Sequence, residues 1–237
     1  MKICSYVVKT DAGLAPNPFW GYCSLALCTP NHQRARLFRG DWIVGNSSAS
    51  NGQRLVYAMR VDEILDFNFY FRDPRFKQKR PKPQGTLEEQ AGDNFYCRKN
   101  GIWKRLPSRF HNDQSFFYKD LGKDLSGRPV FIGQHYYYFG DKRIAFPERF
   151  EEIVRGKQGI QYTEGPLAVE FIKWLEGNHR SGLIGKPLNQ SDHSDDSGRL
   201  ITDLSGQIGG SSTECGRAPK VVIGKIRSSF NPTTKCN

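Results

Sequence analysis

The sequence predicts an α+β fold: a small, mostly antiparallel β-barrel with short flanking helices. Three observations carry that prediction. Residues 54–65, RLVYAMRVDEIL, alternate with period two, placing Leu55, Tyr57, Met59 and Val61 on one side and Val56, Ala58 and Arg60 on the other, the pattern of a half-buried strand. Asn100-Gly101 joins NFYCR to IWKRL, and Asn-Gly supplies the positive φ values that a tight hairpin turn requires. Short apolar segments follow one another with brief connections as far as residue 140, and helical spacing begins only after them.

In chain order, ICSYVV at 3–8 is β-rich and reads as the first strand. The stretch 10–28, TDAGLAPNPFWGYCSLALC, is too rich in Gly, Pro and Asn for regular structure, yet it carries three large aromatics. HQRARLFR at 32–39 fits either a helical turn or a bridging strand. Gly40-Asp41 opens a strand, DWIVG, that runs into the polar turn NSSASNG. Residues 67–76, FNFYFRDPRF, mix aromatics with arginine, and RFKQKRPKP at 75–83 is basic and proline-bearing. SFFYKDL at 115–121 and RPVFIGQHYYYFG at 128–140 supply a last aromatic strand or pair of strands. Pro147 opens PERFEEIVRG, acidic in its first turn and closed by Arg155 and Gly156, which predicts a short helix. A second helix is predicted over 165–178, with Leu167, Phe171, Ile172 and Leu175 on one face. Beyond it the chain turns rich in Gly, Ser and Asp, with KVVIGKI at 220–226 as one returning strand. This divides the chain into a domain at 1–178 and a loop-rich extension at 179–237.

Thirty-five Lys and Arg stand against 24 Asp and Glu, a net charge of +11. Such an excess speeds encounter with polyanions, so nucleic acid, nucleotides or an anionic surface are the partners it favours. No apolar run approaches the roughly 20 residues of a membrane span, and residues 1–9 alternate like a strand rather than forming a leader. The expectation is a soluble, cytoplasmic protein that does not engage a membrane. Its six cysteines then read as reduced thiols. Cys23 and Cys28 with His32 nearby raise the question of zinc, but no CxxC or HExxH accompanies them, and neither metal nor cofactor is expected. Dinucleotide, P-loop, nucleophile-elbow and deaminase signatures are also missing.

What remains is a recognition loop. Pro16 and Pro18 restrict the residues before them and hold Asn17 extended, so its amide and the rings of Phe19, Trp20 and Tyr22 are presented at set positions. Flat rings beside amide and carboxylate groups suit a nucleobase, which stacks on the rings while fixed donors read its edge. Trp42, Ser47 and His135 extend the candidate base-binding set. Trp42 equally fits a plug at a barrel end, and His135 a hydrogen-bonded core histidine. Arg72, Arg75, Lys77, Lys79 and Arg80 are the candidate phosphate contacts, in a run that equally fits a solvated loop. If the chain is an enzyme, Asp11 or Asp41 would serve as general base or Cys23 as thiolate nucleophile. Asp41 also fits a turn-bracing role.

SYVVKTDAGLAPNPFWGYCSLALCTP, GDWIVG, RLVYAMRV, DPRF, GDNFY and HYYYFG together resemble the nucleotide modification associated domain of the second type, over residues 3–145. That resemblance implies a setting of base modification or phage defence, with proteins of such a system as partners. In element order the same stretch is similar to PUA-like barrels of the EVE, YTH and ASCH kinds. This similarity implies a cavity for a modified base lined by Asn17, Trp20, Tyr22, Trp42 and Ser47. The expected function is binding of nucleic acid or nucleotide through a modified or flipped nucleobase. The alternatives are an enzyme that alters a base or nucleotide, and a structural partner in such a complex.

Overall fold

The computed structural model describes residues 1–27, 35–110, 121–122, 124–125 and 129–190. Cys28, His32, the segment 115–120 and KVVIGKI lie outside them. The first strand, β1 (Lys2–Val8), is the second strand from one edge of a six-stranded sheet. It runs parallel to β3 (Trp42–Ser47) and antiparallel to β10 (Ile160–Glu164), in registers that pair Ile3 with Trp42 and Lys2 with Glu164. β4 (Leu55–Arg60) and β9 (Tyr136–Tyr138) continue the sheet antiparallel, and β11 (Gly182–Leu183) closes its far edge parallel to β9. A separate antiparallel sheet joins β2 (Cys23–Leu25), β8 (Val130–Gly133) and β5 (Glu63–Leu65). A third unit is the ribbon of β6 (Tyr96–Lys99) and β7 (Ile102–Arg105).

The expected closed barrel is therefore replaced, among the described residues, by a mixed α/β arrangement of open sheets whose hydrogen bonding ends at β10 and β11. The physical reason is that both faces of the large sheet are covered. On one face Cys4, Tyr6, Ile43, Met59, Tyr136 and Tyr138 pack against Cys23, Leu25 and Phe131 of the smaller sheet. On the other, Ile3, Trp42, Val44, Ala58 and Tyr137 meet Phe150 and the apolar stripe Ala168, Phe171, Ile172 and Leu175 of a long helix. Every residue of β3 is buried, as a strand covered on both sides must be. A sheet sandwiched in this way gains nothing by curling shut.

Two departures from simple alternation follow. In β4, Asn46 pairs with Leu55 while Gly45 pairs with Tyr57, so Val56 is skipped. This bulge turns Leu55 to the helix-covered face and Val56 to the face of Tyr57, reversing the faces expected for both. The aromatic 67–76 segment is helical, contrary to its strand-like composition: α1 (Phe67–Arg72) is capped by the Asp66 carboxylate, which accepts from the Asn68 and Phe69 N–H groups. A 3₁₀ segment, Pro74–Lys79, follows under the Asp73 cap, and α2 (Leu87–Gln90) starts with a Thr86–Glu89 capping box. PERFEEIVRG contains a 3₁₀ segment, Glu148–Ile153, and the predicted second helix is α3 (Pro166–Asn178). No helix among the described residues is long and apolar enough to cross a membrane.

Candidate functional site

The aromatic loop is a miniature hairpin. Asn17 and Ser24 exchange backbone hydrogen bonds at 2.9 Å in each direction. At the tip Trp20 and Gly21 have φ of 58° and 78°, with the Tyr22 N–H directed at the Phe19 carbonyl at 3.5 Å. Two successive positive φ values are those of a type I′ turn, whose usual first residue is Asn, Asp or Gly. A tryptophan there meets the steric penalty of the left-handed region, roughly 1–2 kcal/mol.

A lysine holds this tip in place. Lys79, only 1% exposed, inserts its ammonium beneath the hairpin and donates to Asn17 Oδ1 at 2.6 Å, to the Asn17 carbonyl at 3.0 Å and to the Tyr22 carbonyl at 2.9 Å. The same Nζ lies 5.7 Å from the centroid of the Trp20 ring, which also meets Phe19 edge-on at 5.5 Å. Asn17 in turn donates to the Ala91 carbonyl at 2.9 Å. Behind the hairpin, buried Asp93 accepts from Ser24 Oγ and from Tyr70 OH, both at 2.7 Å. Asn94 ties the assembly to the helical layer by donating to the Tyr70 and Phe76 carbonyls. Burial pulls the Lys79 amine down to about 8, against the attraction of Asp93, and the same burial raises the Asp93 carboxyl.

A second anchor fixes the start of the loop. Asp11 accepts a hydrogen bond from Tyr138 OH and another from the Leu188 N–H at 3.1 Å, while the Asp11 backbone and Asn189 exchange two more. Burial raises the Asp11 carboxyl. Residues 182–190 thus pair with β9 and lie over the loop, inside the stretch that composition assigned to an extension.

The candidate residues separate into distinct groups. Asn17, Phe19, Trp20 and Tyr22 converge with Lys79; of these the Trp20 and Tyr22 side chains are partly exposed, and Asn17 and Phe19 are buried. Trp42 and His135 lie on the opposite face of the large sheet, where Trp42 is buried against Tyr137 and His135 Nε2 is 3.1 Å from Tyr137 OH. Ser47 is buried in the β3–β4 turn, donating to the Asn51 carbonyl and accepting from the Arg54 N–H. Asp41 accepts from the Lys2 and Phe38 N–H groups, which is the turn-bracing role. Cys23 is fully buried, and burial pushes its thiol far up, the reverse of what thiolate chemistry needs.

The basic run divides as well. Arg75 is bound by two carboxylates, Glu63 at 2.6 and 2.9 Å and Asp73 at 2.7 Å, which hold its charge in place and are themselves shifted below the ordinary carboxylate range. Arg80 stacks on Phe71 at 4.0 Å and donates to the Phe71 carbonyl. Lys79 belongs to the clasp, and Arg72 and Lys77 are exposed. Arg72 lines a groove of about 410 Å³ with Leu65, Phe69, Asp73 and Pro74.

The whole clasp, from the Asn17 hairpin to GDNFY, falls within residues 1–194, which match the family model described as nucleotide modification associated domain 2. The chain belongs to this family. No curated protein and no solved structure matches the chain. In this nucleotide modification associated domain the match reaches past α3 and includes the 182–190 strap over Asp11. Sequence reasoning placed Lys79 among surface cations and did not single out Ser24, Tyr70 or Asp93. A signal for Asp93 was present: an Asp-Asn pair directly after Gly and before two aromatics, in a segment with no charged neighbour between Asp93 and Arg98.

Proposed function

We propose that this domain binds a nucleobase, in nucleic acid or as a nucleotide, by stacking it on Trp20, in the setting of base modification or phage defence and alongside proteins of such a system. The reading takes the element order as an opened relative of the PUA-like arrangement. The observation that carries it is the Trp20 turn: a large, partly exposed aromatic is held at φ of 58°, where Asn or Gly would sit without strain. Three hydrogen bonds from Lys79 and its ammonium against the indole fix that geometry. A rigid, pre-oriented ring suits stacking, because little side-chain freedom is lost when a base lands on it. The net charge of +11 favours a phosphate-bearing ligand.

Trp20→Asn tests this directly, since asparagine suits the turn but offers no ring. The expected result is a melting temperature within a few degrees of wild type. Affinity for mononucleotides or a short single-stranded oligonucleotide should fall about 5- to 150-fold, the equivalent of the roughly 1–3 kcal/mol that stacking supplies. Unchanged affinity in a folded variant would remove Trp20 from the ligand site. A base-modifying activity is the second reading, and Asp11 favours it, as a buried carboxyl raised by its surroundings and hydrogen-bonded to Tyr138 OH. Turnover of a bound nucleotide that is lost in Asp11→Asn would establish that activity.

A further inference from the structure

We infer that the β6–β7 ribbon is a duplex-DNA contact, entering the major groove beside the base-binding loop's target; this rests on the reading of nucleic acid as ligand. From Phe95 to Phe110 the chain carries Arg98, Lys99, Lys104, Arg105 and Arg109 and no acidic residue. The register pairs Cys97 with Lys104 and Lys99 with Ile102 on one face, and Tyr96 with Arg105 and Arg98 with Trp103 on the other. The second face is rooted in the body. Tyr96 is buried and donates to Asp124 at 2.9 Å, and Trp103 packs against the cluster of Phe67, Phe76 and Phe95. The first face is turned outward: at its tip exposed Lys99 stands across from Ile102, itself 66% exposed, and exposed Lys104 lies two residues farther along the second strand, diagonal to Lys99.

Shape and chemistry agree on the occupant. Four residues per strand give a ribbon ~14 Å long, and Asn100 and Gly101, with φ of 52° and 80°, keep its tip to two residues. A two-stranded ribbon fits the B-form major groove, which is about 12 Å wide and 8.5 Å deep, whereas the A-form major groove of duplex RNA is too narrow for side chains to read. The two lysines, one on each strand, reach the phosphates of the groove walls, and the isoleucine at the tip, which enters the groove first, meets base edges, where a thymine methyl is its natural partner.

The test is binding of the full chain to a DNA duplex two helical turns long, to the RNA duplex of the same sequence and to the single strand, across a salt series. Lys99→Gln with Lys104→Gln is compared with a control pair, Lys157→Gln with Lys173→Gln, at exposed positions away from the ribbon. The expected result is preference for the DNA duplex, a log-log salt slope flattened by about 1.8 in the ribbon variant, and an unchanged slope in the control. Equal slopes in both variants, or RNA duplex or single strand bound as tightly as DNA duplex, would overturn the ribbon assignment. Wild-type protein that binds none of the three nucleic acids would also overturn it and narrow the Trp20 reading to free nucleotides.

Discussion

Lys79→Met is expected to destabilise the domain by about 3–5 kcal/mol, the range for removing one member of a buried, hydrogen-bonded charged set. Methionine fills much of the volume, so the loss is chiefly polar. Asn17 Oδ1 and the carbonyls of Asn17 and Tyr22 would each lose a donor inside the protein, and a buried acceptor without a partner costs roughly 1–3 kcal/mol. Asp93 would lose a cation that draws its carboxyl down. The measurement is urea unfolding of wild type and variant at neutral pH, and a difference below 1 kcal/mol would show that the clasp does not hold the hairpin.

The same residue gives the stability a signed dependence on pH. Lys79 keeps its proton up to its ordinary 10.5 in the unfolded chain but only to about 8 in the folded one. Between those values the unfolded state binds more protons, so this residue's contribution to stability rises with pH; below about 8 both states are protonated and the contribution is constant. The gap between wild type and Lys79→Met should widen by about 1 kcal/mol from pH 8 to pH 9. Taking a difference matters because other groups work the opposite way. Burial pushes the Cys4 thiol up to about 12 and raises Cys23 further, so both keep a proton that the unfolded chain gives up, and stability is lost as pH rises above their ordinary 9. A gap that stays constant over that interval would contradict the lowered Lys79 amine.

Gly92→Ala carries the second large expected effect, about 3 kcal/mol. A Cβ at this position would sit 2.5 Å from the Lys79 carbonyl oxygen and 2.6 Å from Pro81 N, both backbone atoms that cannot swing away as a side chain would. The segment must move, and it carries Ala91, whose carbonyl receives Asn17, and Asp93 and Asn94, which brace Ser24 and the helical layer. Melting temperature and nucleotide affinity should therefore fall together, in contrast to Trp20→Asn, where only affinity falls. Wild-type stability in Gly92→Ala would mean that the two backbones approach less closely than these distances state.

Much of the framework could be read from residue order. Strand β4, the Asn100-Gly101 ribbon, the aromatic strands β8 and β9 and α3 each have a local cause: period-two alternation, a dipeptide that tolerates positive φ, an aromatic apolar run, or an apolar stripe at helical spacing. α1 was hidden because its aromatics suggest a strand, while its helical state depends on the Asp66 cap and on burial of Phe67 and Tyr70. At the site, the loop's aromatic content and the turn-bracing of Asp41 were legible. The grouping was not: Trp42 and Trp20 are 22 positions apart in sequence and look like walls of one pocket, but Trp42 is buried on the helix-covered face of the large sheet, while Trp20 is at the tip of a hairpin whose Pro18 carbonyl accepts from Tyr136 on the other face.

By itself, then, the sequence determined that this is a basic, strand-rich domain of the nucleotide modification associated kind, built around a loop of proline, asparagine and aromatics. Those are local or compositional properties, and each is carried by neighbouring residues or by a sum over the chain. Only the tertiary structure decided which charges are available to a ligand. Lys79 and Arg75 lie four residues apart in a run that looks uniformly solvated. One is drawn beneath the hairpin by three oxygens 57 to 62 positions away, and the other is held by Glu63 and Asp73. A side chain's charge is written in its own letter, but its solvation depends on what long-range packing brings beside it, and that is fixed only when the sheets assemble.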